Sequence, residues 1–405
     1  MNKPAVTEGI GFVNYAWPEL RLRVVAERYT DDGYAELRFY LRDGAEERLI
    51  HPTRANLLAT PTMNSLAKRL KENSEEIPWT DVLTFIAGKT LEIARRAEPV
   101  KEIWPLEDDT LEVSYLLRPI LPEKHPTVIF GDYGSLKSLV ALGIGYIVQL
   151  PYQDNQLGLT TRDTSTKCLF CDYEDDPSSF RKRWGAVQRG FDVRPPMPIL
   201  YQHMTAPLVD AIEQLRQIIA EEGIGLLIID SLGPAARGNL NDPEPAIKYH
   251  AALRQLGITS LTLAHNSKDP FTKRRTIFGS VFFTNLARSV WECKAEQEPG
   301  EDEAIISLKH HKANLSRLQP ALGYKFTFTD NSISIAKTDL RDTGLSGELP
   351  LSVRIKDLLR RGAMTVKGIA EGLDANEGSV KTTLNRLAKK GITTKTGDRW
   401  GLRVL

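Results

Sequence analysis

From Thr127 onward, short apolar runs alternate with longer stretches in which apolar residues recur every three or four positions. Short runs of apolar and β-branched residues read as strands, and the three-to-four spacing reads as helix. The runs are Thr127–Phe130, Cys168–Cys171, Ile199–Tyr201, Ile224–Ile229, Ser260–Ala264, Ala304–His310 and Tyr324–Thr329, with helical segments between the first five. This alternation predicts an α/β domain with a mainly parallel sheet and helices on both faces. Upstream, Leu20–Val25 and Tyr34–Arg42 alternate in polarity around turns at Thr30–Gly33 and Asp43–Gly44, which predicts two or three strands. The stretch 53–97 changes to helical spacing and predicts two helices. Downstream, 350–405 holds three helical segments and a hairpin.

Prolines at 99, 105, 119, 122 and 126 mark a lead-in, and the polar, glycine-bearing stretch 340–349 marks a second linker. Three domains are therefore expected: a small α+β module over 1–105, an α/β core over 106–340 and a C-terminal domain over 350–405. The first module carries no visible site chemistry, which leaves it a docking or oligomer-organising role. With 41% hydrophobic and 26% charged residues among 405, the composition is that of a soluble globular chain. The net charge of +1 means that a nucleic-acid partner would be met by local basic patches. The three cysteines, Cys168, Cys171 and Cys293, suggest no disulfide framework and fit a reducing cytoplasm. No signal peptide and no apolar run long enough to span a bilayer is evident, so no membrane partner is expected.

Chemistry concentrates at the first strand of the core. Thr127–Phe130 stops at Gly131, Lys137-Ser138 follows six residues later, and the apolar stretch from Leu139 to Leu150 comes next. Strand, glycine-bearing loop and helix form the arrangement in which backbone N–H groups wrap a phosphate chain. The nucleotide contacts would come from Gly131, Asp132, Tyr133, Gly134, Ser135, Leu136, Lys137, Ser138 and Leu139. Lys137 would reach the β- and γ-phosphates of ATP, and the Ser138 hydroxyl would hold Mg²⁺. Leu136 stands where glycine is usual, and a Leu is expected at negative φ.

Later strands end in polar residues, where ligands of parallel sheets sit. Cys168–Cys171 runs into Asp172-Tyr-Glu174-Asp-Asp, and Asp176-Pro177 caps a helix. Glu174 would take a proton from the attacking water; the same acids could instead be a solvated helix start. The cysteine pair reads as buried thiols, since strand positions three apart face opposite sides and no further ligands complete a zinc site. Ile224–Ile229 ends in Asp230-Ser231, and Asp230 would support the Mg²⁺ shell. Ser260–Ala264 ends in His265, placed to sense the γ-phosphate. The following loop is basic, with Lys268, Lys273, Arg274 and Arg275, and could contact a DNA backbone or be merely solvated. Lys312 and Arg317, with Lys309 behind them, could reach a neighbouring subunit's nucleotide and neutralise charge on its γ-phosphate.

Together Gly131–Ser138, Asp172–Asp176, Leu226–Ser231, His265–Lys268 with Gly279-Ser280, and Lys312-Ala-Asn314 resemble the RecA-core ATPases of the RepA-like hexameric replicative helicases, relatives of DnaB. The resemblance covers roughly 115 to 338. It implies a RecA-like parallel-sheet ATPase core, ATP bound between the subunits of a homo-hexamer, and translocation on single-stranded DNA. Glu174 is then the implied base, Asp230 the metal-shell residue, His265 the sensor, and Lys312 or Arg317 the residue acting across the interface. One departure besides Leu136 is Asn266, where such proteins usually carry a second His. The C-terminal helix, helix-turn-helix and hairpin resemble a winged-helix domain. Residues 350–405 carry twelve Lys or Arg against five Asp or Glu, a net +7. Ser379, Lys381, Thr382, Asn385 and Arg386 would face the major groove of double-stranded DNA, or the domain would dock a protein. The expected function is a DNA-acting ATP-dependent motor, most simply a replicative or mobile-element helicase. The alternative is a DNA-bound ATPase switch governing a recombination, transposition or partition partner.

Overall fold

The computed structural model describes residues 2–9, 12–30, 32–44, 46–95, 102–104, 113–192, 196–267 and 276–403. The chain divides into two compact units, Met1–Thr110 with Glu213–Ile218, and Leu111–Ile212 with Ile219–Leu405.

The first unit holds β1 (Ala5–Gly9), β2 (Phe12–Trp17), β3 (Leu22–Glu27), β4 (Tyr34–Asp43) and β5 (Glu46–Asn56), followed by α1 (Thr60–Lys71) and α2 (Trp79–Ala94). The strands form an antiparallel meander in sequence order. Trp17, Phe39, Trp79 and Ile86 are fully buried in the core of this unit. Five strands stand where two or three are expected. β1 and β2 were missed because β1 is short and mostly exposed, so its polarity pattern is weak. The other sheet face bears ion pairs such as Arg23–Glu47 at 2.5 Å and Arg38–Glu27 at 3.1 Å.

The second unit begins with β6 (Tyr115–Arg118), β7 (Leu121–Pro122) and β8 (Pro126–Gly131), then α3 (Lys137–Ile147), β9 (Thr160–Thr161), β10 (Lys167–Asp172) and α4 (Pro177–Gly190). It continues through β11 (Leu200–His203), β12 (Ile224–Asp230), α6 (Leu232–Ala235), α7 (Pro243–Leu256), β13 (Thr259–His265) and α8 (Val281–Leu286), while α5 (Ile212–Glu222) is divided, its residues 213–218 grouping with the first unit. β14 (Ser289–Glu296), β15 (Glu303–Ala313), β16 (Leu322–Phe328) and β17 (Ile333–Thr338) complete its main sheet. That sheet has nine strands in the order β11-β10-β12-β13-β8-β14-β15-β16-β17. From β11 to β14 the pairing is parallel, and β15 to β17 add an antiparallel flank. This is the mixed α/β sheet expected of a RecA-like core. The central strands are continuous apolar runs because both faces are covered; Leu226 to Ile229 of β12 are all fully buried. α3 is apolar on every side and buried along its length.

Three expectations are corrected here. The proline-bearing lead-in is ordered from 113, and Leu116, Leu117, Ile120 and Leu121 belong to the core. β14 was missed because Glu292 and Lys294 interrupt its apolar pattern. Their charges are met in the fold: His311 lies 2.8 Å from Glu292, and Lys294 lies 2.5 Å from Glu348. The second linker contains a 3₁₀ turn over Gly344–Glu348, and Lys294 and Lys309 both bond Glu348. Burial alone would raise the Glu348 pKa, but these two hydrogen bonds hold it below its ordinary value.

The C-terminal segment of this unit is α9 (Leu351–Leu359), β18 (Met364–Thr365), α10 (Val366–Gly372), α11 (Glu377–Lys389), β19 (Thr393–Thr396) and β20 (Arg399–Leu402). Its strands form one sheet in the order β18-β20-β19. Ile355, Ile369, Val380, Leu384 and Trp400 form its small core. Thr365 caps α10 and Asn376 caps α11 through side-chain bonds to backbone N–H groups.

Candidate active site

The parallel strands bring their carboxyl ends to one edge. Gly131 of β8 lies level with His265 of β13, and Asp172 of β10 lies level with Asp230 of β12. Such an edge is where open parallel sheets bind ligands.

The loop leaving β8 is shaped by backbone constraints. A Cβ on Gly131 would lie 2.2 Å from the Cys293 carbonyl oxygen, so only glycine fits there. Gly134 takes φ +75° and Leu136 takes φ +61°, ψ +20°. The expectation that Leu136 sits at negative φ is therefore wrong: the turn into α3 imposes the left-handed conformation whichever residue is present. For a non-glycine residue that conformation costs about 1 kcal/mol. The Leu136 side chain packs against the core cluster, which offsets part of that cost. We expect Leu136→Gly to change stability by less than about 1 kcal/mol and to leave nucleotide affinity within a few-fold, since relieved strain and lost burial oppose each other. Leu136→Val should weaken nucleotide binding about tenfold, because a β-branched residue tolerates positive φ poorly. Thermal melts and nucleotide titrations check both.

Lys137 opens α3 and is buried. Its Nζ donates to the carbonyl oxygens of Gly131 (3.2 Å) and Asp132 (2.8 Å) and to Ser135 Oγ (3.2 Å). Burial pushes the ammonium below its ordinary pKa, against the pull of nearby Asp230 and Glu174. Asp132, Tyr133 and Gly134 are exposed at the loop tip, Tyr133 at 93%. Leu139 points into the core.

Ser138 hydrogen-bonds Asp230, whose carboxyl burial pushes up to about 6. A buried carboxylate beside a hydroxyl is a hard-oxygen donor pair, the kind that Mg²⁺ takes. The next residue, Ser231, is joined to Asp230 by a cis peptide bond. Its hydroxyl donates to Glu174 Oε1, and His265 Nε2 lies 3.8 Å from the same oxygen. Glu174, Ser231 and His265 thus converge on one edge with Lys137, Ser138 and Asp230. The Glu174 and His265 side chains are each about half-exposed, at 47% and 45%.

Other predicted residues are placed differently. Lys312 does not reach outward: its Nζ donates to the carbonyls of Thr284 (3.0 Å), Asn285 (2.6 Å) and Ala287 (2.7 Å), closing the C-terminal end of α8. Unsatisfied helix-end carbonyls attract a cation, which accounts for this choice. Lys312 also lies level with Val290 and Val128, toward the opposite ends of the parallel strands. Arg317, five residues on, is exposed. Lys309 lies 3.0 Å from Glu348. Lys268, Lys273, Arg274 and Arg275 lie outside the described residues. The chain on either side of them is joined by Ser267 N–H to the Thr276 carbonyl at 2.9 Å and by Phe278 N–H to the His265 carbonyl at 2.8 Å. Ser379, Lys381, Thr382, Asn385 and Arg386 all face solvent on α11, while Val380, Thr383, Leu384 and Leu387 are buried. Cys168, Cys171 and Cys293 are buried free thiols, and among the described residues no cluster of His, Cys, Asp and Glu forms a metal site. No helix of the described residues is long and apolar enough to cross a membrane.

Sequence reasoning missed three polar residues at this edge. Asp172 accepts the N–H groups of Glu174 and Asp175, each at 3.0 Å. Ser231 holds Glu174, and the Asn266 amide donates to Asp132 Oδ1 at 2.9 Å. The spacing Asp-x-Glu at a strand end was a readable signal for Asp172. Ser231 and Asn266 gave none, since their partners are distant in sequence.

Residues 92–270 match the family described as AAA domain. No curated protein sequence matches the chain. Among solved structures, a KaiC-like protein from the hyperthermophilic archaeon Pyrococcus horikoshii OT3 is similar at 14% identity and a TM-score of 0.37, over 54% of this chain and 93% of that one. The family match over residues 92–270 and the convergence of Lys137, Ser138, Asp230 and Glu174 on one edge both support a P-loop ATPase core.

Proposed function

We propose that this chain is an ATP-dependent, DNA-acting motor of the RepA-like kind, working as a ring-forming helicase on single-stranded DNA. The observation that carries the reading is Glu174 held by Ser231 beside His265, across from Lys137 and the Ser138–Asp230 pair. In this reading the Lys137 amine leaves the loop carbonyls for the β- and γ-phosphates of ATP, and the loop N–H groups take the remaining phosphate oxygens. Ser138 and Asp230 would hold Mg²⁺, which would supply neutralisation of charge on the phosphates. Glu174 accepts the proton of the attacking water, and the Ser231 hydroxyl fixes the rotamer of its carboxylate. His265 lies level with Gly131 and reports the γ-phosphate to the segment that follows β13. Arg317, which is exposed, is the remaining candidate for contact with a neighbour's nucleotide in a homo-hexamer.

The C-terminal segment supports a DNA partner. Its three helices and small sheet have the order of a winged helix, its net charge is +7, and the solvent face of α11 carries Lys381 and Arg386. Duplex DNA would lie along that face. The Lys381→Glu/Arg386→Glu double variant should lower the salt slope of duplex binding by about 2. An unchanged slope, measured by anisotropy across a salt series, makes the segment a docking module for a replication or recombination protein.

The motor itself is tested by steady-state ATPase with and without single-stranded DNA, alongside unwinding of a forked duplex. Stimulation with strand separation supports the helicase. Slow hydrolysis indifferent to DNA, with no unwinding, favours a DNA-bound switch acting on a recombination, transposition or partition partner.

A further inference from the structure

The Glu174 side chain is about half-exposed, and its partners here are Ser231 and His265. A carboxylate so lightly packed keeps its position only if the backbone beneath it is fixed. The turn from Asp172 to Asp176 is fixed on every side. Tyr173 N–H donates to the Asp230 carbonyl at 2.7 Å, which ties the turn to the neighbouring strand. Asp172 Oδ1 accepts from both Glu174 N–H and Asp175 N–H at 3.0 Å. The Asp175 carbonyl accepts from the Tyr201 hydroxyl at 3.2 Å and lies 3.0 Å from His203 Nδ1. From α4, Arg183 Nη2 reaches Asp175 Oδ2 at 2.5 Å and Asp172 Oδ2 at 4.0 Å.

Asp172 is itself 1% exposed. A carboxylate is costly to bury, and an apolar residue at the end of an apolar strand would be the cheaper choice. The two backbone donors and the nearby guanidinium explain why a carboxylate stands here. Arg183 lies near Asp172, Asp175 and, more distantly, Asp230.

We infer that Asp172, braced from α4 by Arg183, is a positioning residue that sets the Glu174 carboxylate by holding the two N–H groups of its turn. The inference rests on the reading of Glu174 as the base and adds to it the residues that aim that base. Its physical content is geometric. General-base transfer depends on a carboxylate within hydrogen-bond reach of the water, and a displacement of about 1 Å costs about 10²-fold in rate.

The test compares Asp172→Ala, Asp172→Asn and Arg183→Ala in the full chain, with ATP as the probe and kcat, KM, nucleotide Kd and thermal midpoint as readouts. Asp172→Ala leaves both N–H groups without their acceptor, so kcat should fall by about 10²-fold with KM and Kd within about twofold. Asp172→Asn keeps an Oδ1 acceptor and should recover kcat to within a few-fold. Arg183 lies on a surface helix, so Arg183→Ala should fold even if Asp172→Ala does not, and its kcat should fall about tenfold at unchanged Kd. Unchanged kcat in Arg183→Ala and Asp172→Ala would overturn the inference. So would an Asp172→Asn variant as slow as Asp172→Ala with a raised Mg²⁺ requirement, which would make the carboxylate a metal-shell group. Full activity in Glu174→Gln is a separate outcome and removes the base assignment, not the turn that Asp172 holds.

Discussion

Glu174→Gln is expected to bind ATP as the unchanged protein does and to lose hydrolysis by about 10³-fold. Glutamine matches glutamate in shape, and its amide oxygen still accepts the Ser231 hydroxyl that Glu174 accepts. The bonds that shape the turn run from the Glu174 and Asp175 N–H groups to Asp172, so the substitution leaves them intact. What disappears is the capacity to take a proton. In the proposed site binding would rest on the loop after β8 and on Lys137, not on position 174, so Kd and KM should stay within about twofold while kcat falls. Radiolabelled ATP hydrolysis alongside equilibrium nucleotide binding separates the two quantities. Retained turnover would show that Glu174 is the solvated helix start that its exposure also permits.

Lys137→Ala is expected to abolish turnover and to weaken ATP binding by about 10- to 10²-fold, the loss of a charge-assisted hydrogen bond of about 1.5–3 kcal/mol. Its effect on stability should be small. Burial holds the Lys137 pKa below its ordinary value, so the folded protein carries this ammonium at a cost. For a cation with a depressed pKa, the cost is present below the folded-state pKa and is relieved as pH rises through it. At neutral pH relief of that cost should offset part of the three hydrogen bonds that the alanine variant loses, so its melting temperature should change little. Ser135 Oγ keeps its own 2.7 Å bond to the Asp132 carbonyl, which preserves part of the loop. ATPase assays, nucleotide titration and melting curves check the three components. Unaltered ATPase would remove Lys137 from the phosphate site.

The two variants probe different elements of one edge. Lys137 opens α3 after β8, while Glu174 follows β10, and β12 and β13 stand between those strands. They meet because parallel strands place all their carboxyl ends on one side. A function assigned from this site therefore depends on strand order as much as on residue identity.

Much of that could be read along the chain. β8, the turn at Gly131 and α3 follow from a β-branched run, a glycine and a long apolar stretch, all local signals. Asp230 at the end of β12 and the cap of α4 were legible for the same reason, because a strand's apolar run and a cap's hydrogen bond involve near neighbours. The solvent face of α11 followed from helical spacing.

Other features depend on partners far away in sequence, which no local pattern records. Leu136 adopts positive φ at the turn that opens α3, a conformation no local preference of leucine predicts. Lys312 looks like a mobile surface cation until the carbonyls at the end of α8 claim it. β14 hides behind charges whose counterparts, His311 and Glu348, lie elsewhere in the chain. The Asp-x-Glu spacing marks Asp172 at its strand end, but the brace on it exists only when β10 pairs with β12 and α4 brings Arg183 across. Local spacing is enough to write down strands, helices and caps, since their energies arise between residues a few positions apart. Which buried charge is compensated, and by what, is set when the strands are ordered and the helices laid on them, because electrostatic and hydrogen-bond compensation acts through space.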